Sequence, residues 1–174
     1  MRNLIHECLI EEFRPDLIKE CTIAAVRLDD GVVLAKNRDR GYKSKMEVIH
    51  EIVDGVEVIY WRDIDTDWSE GMNEYGIGIV NSALWTGMDE KEGKEVLKKR
   101  EKKHDKTEKS VASKDGQKIR HALTKKDMKT VVKSLIEFTG TKSKFGLRGQ
   151  TFVSNGKDLY CVELTSKHTP TIKN

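Results

Sequence analysis

The sequence predicts an α+β domain built on antiparallel sheet. Short β-branched runs face each other across Asp-Gly or Asn-Gly turns at residues 29–31, 54–55 and 155–156. A single clean helical stripe lies between the second and third of these hairpins. At 174 residues the chain is expected to form one domain with a core of its own.

Residues 1–20 are expected to form a short helix with Leu4, Ile5, Cys8 and Leu9 on one side, broken near Pro15. From Cys21 the period changes to that of strands. A run over 22–28 and a return over 32–35 flank Asp29-Asp30-Gly31. A second hairpin pairs 48–53 with 56–61. The stretch from Trp68 to Trp85 places a turn, Gly-Met-Asn-Glu-Tyr-Gly, ahead of a buried strand over 77–82. Residues 88–118 are almost all charged and read as a solvated excursion, a loop or a frayed helix. Met128, Val131, Val132, Leu135 and Ile136 then mark one helix face, with Thr124 as N-cap, Asp127 three residues on, and Gly140 as the stop. Strands over 150–154 and 158–164 form the third hairpin, and 165–174 carries no pattern. No internal repeat is present.

Charged residues make up 35% of the chain, yet the net charge is only +3. That balance argues against a dedicated nucleic-acid binder, and the basic cluster at 98–104, interleaved with acids, reads as a solvated face. No run reaches the roughly 18 apolar residues of a membrane span. The N-terminus lacks the continuous apolar core of a secretory signal. Cys8, Cys21 and Cys161 have spacings that suit neither a disulfide framework nor a CxxC site, so free thiols in a reducing cytoplasm are expected. His6, His50, His104, His121 and His168 show no paired spacing. No metal and no cofactor is expected, and no glycine-rich phosphate loop opens a helix.

The candidates for chemistry are Cys21, Asp39 and Asn81. Each has a plain structural reading: a small buried hydrophobe, a turn or ion-pair residue, and a strand end. Together they form a pattern. A cysteine starts a short strand, a tight turn follows, the return strand ends in Lys36-Asn37-Arg38-Asp39, and Gly-Met-Asn-Glu-x-Gly leads to Asn81. This pattern resembles the cysteine N-terminal-nucleophile hydrolases of the choloylglycine hydrolase, penicillin V acylase and isopenicillin-N acyltransferase group. The acyltransferase-like (peptidase C45) branch is nearest, because the cysteine is internal. The resemblance is sharp over 21–39 and 71–82 and looser as far as Glu163.

The resemblance implies an α-β-β-α sandwich and an amidohydrolase or acyltransferase acting on a linear, non-peptide amide. Cys21 would be the nucleophile, Asp39 would orient its amine and the substrate, and Asn81 would donate to the oxyanion. Lys36 and Asn37 would bind, with Lys36 standing where the family carries arginine and so lacking the planar fork. The chemistry is self-consistent. In model peptides a thiol titrates near about 8.5 and an α-amine near about 7.7–8, so the two exchange a proton close to neutrality. One oxyanion donor contributes roughly 3–4 kcal/mol to the barrier.

The scheme requires cleavage between Glu20 and Cys21, because an amide nitrogen cannot act as a base. Residues 1–20 would then be a propeptide, and 21–174 the single working domain. The family's further strands and second asparagine find no match in the last nine residues, so the sandwich is expected to be C-terminally short. A homo-oligomer or a complementary chain would then cover its sheet. The alternative is a non-catalytic or truncated protein of the same fold that binds a partner.

Overall fold

The computed structural model describes residues 21–38, 45–82, 106–137, 147, 149–164 and 170–174, with 106–114 described in backbone alone. Nine strands and two helices are found among them, so the α+β expectation holds. The leading segment 1–20, with Glu20, lies outside the described residues, as do Asp39, 88–105 and Gly140.

Strands β1 (Thr22–Leu28) and β2 (Gly31–Asn37) form an antiparallel hairpin of their own. A seven-stranded sheet follows in the order β3 (Met46–Val53), β4 (Val56–Asp63), β5 (Ser69–Asn73), β6 (Gly78–Ser82), β7 (Gly149–Ser154), β8 (Leu159–Leu164) and β9 (Thr171–Lys173). Every neighbouring pair is antiparallel. The excursion between β6 and β7 contains helices α1 (Lys106–Leu123) and α2 (Met128–Ile136).

Strand alternation sorts the large sheet into a helix face and a hairpin face. Val56, Val58, Tyr60, Ile79 and Val153 point to the helix face and share a core with Ile119, Leu123, Val131 and Leu135. The opposite face of β6 and β7 carries the hairpin, where Leu34 lies against Gly78. The layers are therefore helices, seven-stranded sheet and hairpin.

Several elements differ from the sequence expectation. Residues 106–118 belong to α1, the helical one of the two expected states, but the end of that stretch is buried rather than solvated at Asp115 and Lys118. Gly116 explains how a charged helix packs: it lies so close to the 67–68 main chain that a Cβ would stand 1.9 Å from the Asp67 carbonyl oxygen. Asp127, rather than Thr124, caps α2, its carboxylate accepting from the Thr130 N–H at 2.9 Å. That bond, with a second from the Thr130 hydroxyl at 2.8 Å, holds the Asp127 carboxyl below its ordinary range. Strands β5 and β9 were hidden, the first inside a turn motif and the second in the unpatterned tail. No described helix is long and apolar enough to cross a membrane.

Candidate functional site

Cys21 sits half-buried, with a free thiol, at the foot of the hairpin. The register pairs Thr22 with Asn37 and Ile23 with Lys36. Extending it by one residue sets Cys21 across from Arg38, and alternation puts Cys21, Ile23, Lys36 and Arg38 on the inward face. Asn37 falls on the other face and is exposed. A bond from β6 fixes the position of Cys21: the buried Ser82 hydroxyl donates to the Cys21 carbonyl oxygen at 2.6 Å.

Beside Cys21 the hairpin brings two cations to two carboxylates of the large sheet. Lys36 pairs with Glu70, and its ammonium also lies 4.7 Å from the centre of the Trp68 ring. Trp68 donates its indole N–H to the same Glu70 oxygen. Arg38 donates to Asp63 at 3.1 Å and stands 4.0 Å from Glu70. The side chains of Lys36 and Glu70 are only 6% and 8% exposed, so water screens their attraction little. Burial pushes the Lys36 ammonium below the ordinary lysine range. The Glu70 carboxylate and, less strongly, Cys21 in its negative form oppose that shift.

The carboxylates are locked by their own turn. Asp63 ends β4 and accepts from the N–H groups of Asp65 and Thr66 at 3.0 and 3.1 Å. Asp67 takes a positive φ of 58° as the chain returns into β5. Arg120 of α1 grips this return, donating to the Asp67 carboxylate at 2.8 Å and to the Ser69 hydroxyl at 2.6 Å. The site is thus held from both faces of the sheet.

An apolar cleft of about 640 Å³ opens next to the cluster. Its walls include Leu34 from the hairpin and Val48, Ile59, Trp61 and Met72 from β3, β4 and β5, with Glu70 common to cleft and cluster. Glu70 therefore connects the apolar space to the charged neighbourhood of Cys21.

Asn81 is in a different place. It is fully buried and alternates with Ser82, so its side chain lies on the helix face with Ile79. There its amide donates to the Thr151 hydroxyl at 2.8 Å and to the Gln150 carbonyl at 3.1 Å. The structure brings Cys21 and Lys36 together but not the side chains of Asn37 and Asn81.

The Asn of the turn motif has a structural duty. Asn73 accepts from the N–H groups of Tyr75 and Ile77 at 3.1 and 3.0 Å, and donates to the carbonyls of Leu123 and Lys125 at 2.9 and 2.8 Å. It thereby closes the β5–β6 turn and caps the end of α1 together. Sequence reasoning missed Arg38, Asp63, Trp68, Glu70 and Ser82. One signal was available: Lys36 follows Val32 and Leu34 at the strand period, which places a charge on an apolar face where it needs a partner.

Among the described residues, no group of three or more His, Cys, Asp or Glu side chains could hold a metal ion. No family model, curated protein or solved structure matches the chain.

Proposed function

We propose that the protein is an amidohydrolase or acyltransferase acting on a linear amide, with Cys21 as nucleophile after cleavage from Glu20. The observation that carries this reading is the buried Lys36–Glu70 pair beside Cys21, adjoining an apolar cleft. The resemblance of residues 21–39 and 71–82 to the cysteine N-terminal-nucleophile hydrolases supports the same reading, as does the stacking of a hairpin on a sheet backed by helices. Under it, the full fold is the α-β-β-α sandwich of that group, working in a reducing cytoplasm where thiols stay free.

In the proposed reaction the Cys21 sulfur adds to the amide carbon while its own α-amine takes the thiol proton. The amine returns that proton to the leaving nitrogen, and the carbon–nitrogen bond breaks to give a thioester. Water then completes hydrolysis, or a second amine completes transfer. The developing oxyanion needs donors. Because the Asn81 side chain lies on the helix face, away from the hairpin, the cations Lys36 and Arg38, on the same face of the hairpin as Cys21, take that stabilising part in the proposal, and the cleft receives the acyl group. Asp39 keeps its proposed part in orienting the amine.

Intact-mass measurement of the purified chain, beside an assay with simple N-acyl amides, tests this reading. The expected result is a mature chain beginning at Cys21 and hydrolysis abolished by Cys21→Ala. A chain that stays full length and hydrolyses nothing sinks it. That outcome fits a second reading, a non-catalytic binding module of the same fold, favoured by the open apolar face of β3, β4 and β5.

A further inference from the structure

We propose that two copies of this chain pair through the edge strand β3, joining their sheets into one continuous antiparallel sheet. This inference is independent of any chemistry at Cys21. Strand β3 ends the seven-stranded sheet, so one side of its backbone has no strand partner among the described residues. Asp54 and Gly55 both have positive φ, 51° and 75°, which makes the β3–β4 connection a tight two-residue turn. Val53 and Val56 are then a hydrogen-bonded pair, and the alternation along the ladder continues to Lys45, whose carbonyl accepts from the Ile64 N–H at 2.9 Å. Met46, Val48, His50 and Ile52 are left directing their N–H and C=O groups outward.

The same residues point their side chains to the hairpin face and are exposed there, Met46 beside Arg38 and His50 paired with Glu57. Ile52 is 75% exposed and Val48 52%, beside Trp61 at 56% on β4. An exposed apolar edge with a full row of outward donors and acceptors is a pairing template. Its own sequence favours a second copy as the occupant. In a two-fold antiparallel pairing, outward residues must meet outward residues, which restricts the centre of symmetry to a residue of the strand. Centring at Ile49 sets Glu47 against Glu51 twice, and centring at Glu51 sets two Glu51 carboxylates together. Centring at Val48 leaves Ile52 beyond the paired stretch. Centring at His50 sets Val48 against Ile52 on both sides of the axis and keeps every carboxylate opposite an apolar residue. On the helix face Glu47 and Glu51 are already engaged within their own protomer, with Arg62 at 2.7 Å and with the Tyr60 hydroxyl at 2.6 Å. At the axis the two His50 rings face each other, each 2.5 Å from the Glu57 carboxylate of its own protomer, so Glu47, Glu51 and Glu57 all keep their partners.

Sedimentation velocity of the full chain at micromolar to hundred-micromolar concentration tests the proposal, with the protomer mass of 19.9 kDa as reference. The expected species is a dimer. Ile52→Lys places an ammonium opposite Val48 and is expected to weaken dimerisation at least about tenfold. His50→Pro removes an outward N–H that β4 does not use, and is expected to weaken it likewise. Met72→Lys, on the same open face but two strands from the edge, is expected to leave the dimer intact. Circular dichroism of each variant shows that it is folded. A folded wild-type chain that remains monomeric throughout overturns the proposal. So does a dimer that is indifferent to Ile52→Lys and His50→Pro, or one lost in Met72→Lys and retained in Ile52→Lys, which would mean the open faces stack instead.

Discussion

The Ser82 hydroxyl, 2.6 Å from the Cys21 carbonyl oxygen, ties the first residue of the hairpin to the middle layer of the fold. Ser82 is only 4% exposed, so on the donor side water does not readily replace the bond. Ser82→Ala should cost about 1 kcal/mol, the usual net worth of such a bond, read as a lower urea midpoint at unchanged slope. Ser82→Thr keeps the hydroxyl and should lie between alanine and wild type. An alanine variant as stable as wild type would mean that Cys21 is held by other contacts.

Lys36 and Glu70 give a sharper test, because both charges are buried. Lys36→Met leaves the Glu70 carboxylate, 8% exposed, with Trp68 and a distant Arg38 as its partners among the described residues, and should cost about 3–5 kcal/mol. Glu70→Gln alone leaves the ammonium uncompensated and should also be costly. The double variant removes both charges and should recover most of the loss, giving a large coupling energy in urea unfolding. Additive losses would show that the two side chains do not depend on each other.

The hairpins and α2 could be read from the sequence because their determinants are local. Asp54-Gly55 and Asn155-Gly156 supply the turn geometry on the spot, and Met128, Val131, Val132 and Leu135 keep the helical period. Helix α1 could not be read that way. Its burial depends on Gly116 meeting the 67–68 turn and on Arg120 gripping Asp67, both long-range events. The site divides along the same line. Lys36 was visible as part of a local pattern, whereas Glu70 and Asp63 reach it only when the hairpin stacks on β4 and β5. The side-chain direction of Asn81 follows from β6 pairing with β7, which a motif of one strand does not encode.

Gly116 makes a prediction opposite to the general rule. In an exposed helix interior, Gly→Ala stabilises by roughly 0.5–1 kcal/mol. Here the added Cβ would lie 1.9 Å from the Asp67 carbonyl oxygen and 2.9 Å from its carbon, so backbone must move. Gly116→Ala should therefore destabilise by about 1–3 kcal/mol or more, seen as a lower melting temperature. Gly55→Ala serves as contrast: no atom of the described residues lies within 4 Å of its added Cβ, and its φ of 75° is what opposes a side chain. Its loss should be smaller. A raised melting temperature for Gly116→Ala would contradict the close α1 packing.

Tyr60 predicts an alkaline limb in the stability profile. Burial in the core and the hydrogen bond to Glu51 at 2.6 Å push its phenol up to about 12 from an ordinary 10.0. The folded state thus holds this proton more tightly than the unfolded chain. The stabilisation is complete below pH 10 and is lost as pH rises from 10 to about 12, because only the unfolded chain gives up the proton freely in that window. Tyr60→Phe removes both the late ionisation and the bond to Glu51. Its phenolate absorbance titration should lack the step near 12, and its stability should fall less steeply across the window than that of the wild type. An unchanged absorbance titration in Tyr60→Phe would mean that the late step belongs to another tyrosine and that the Glu51 contact does not hold the proton.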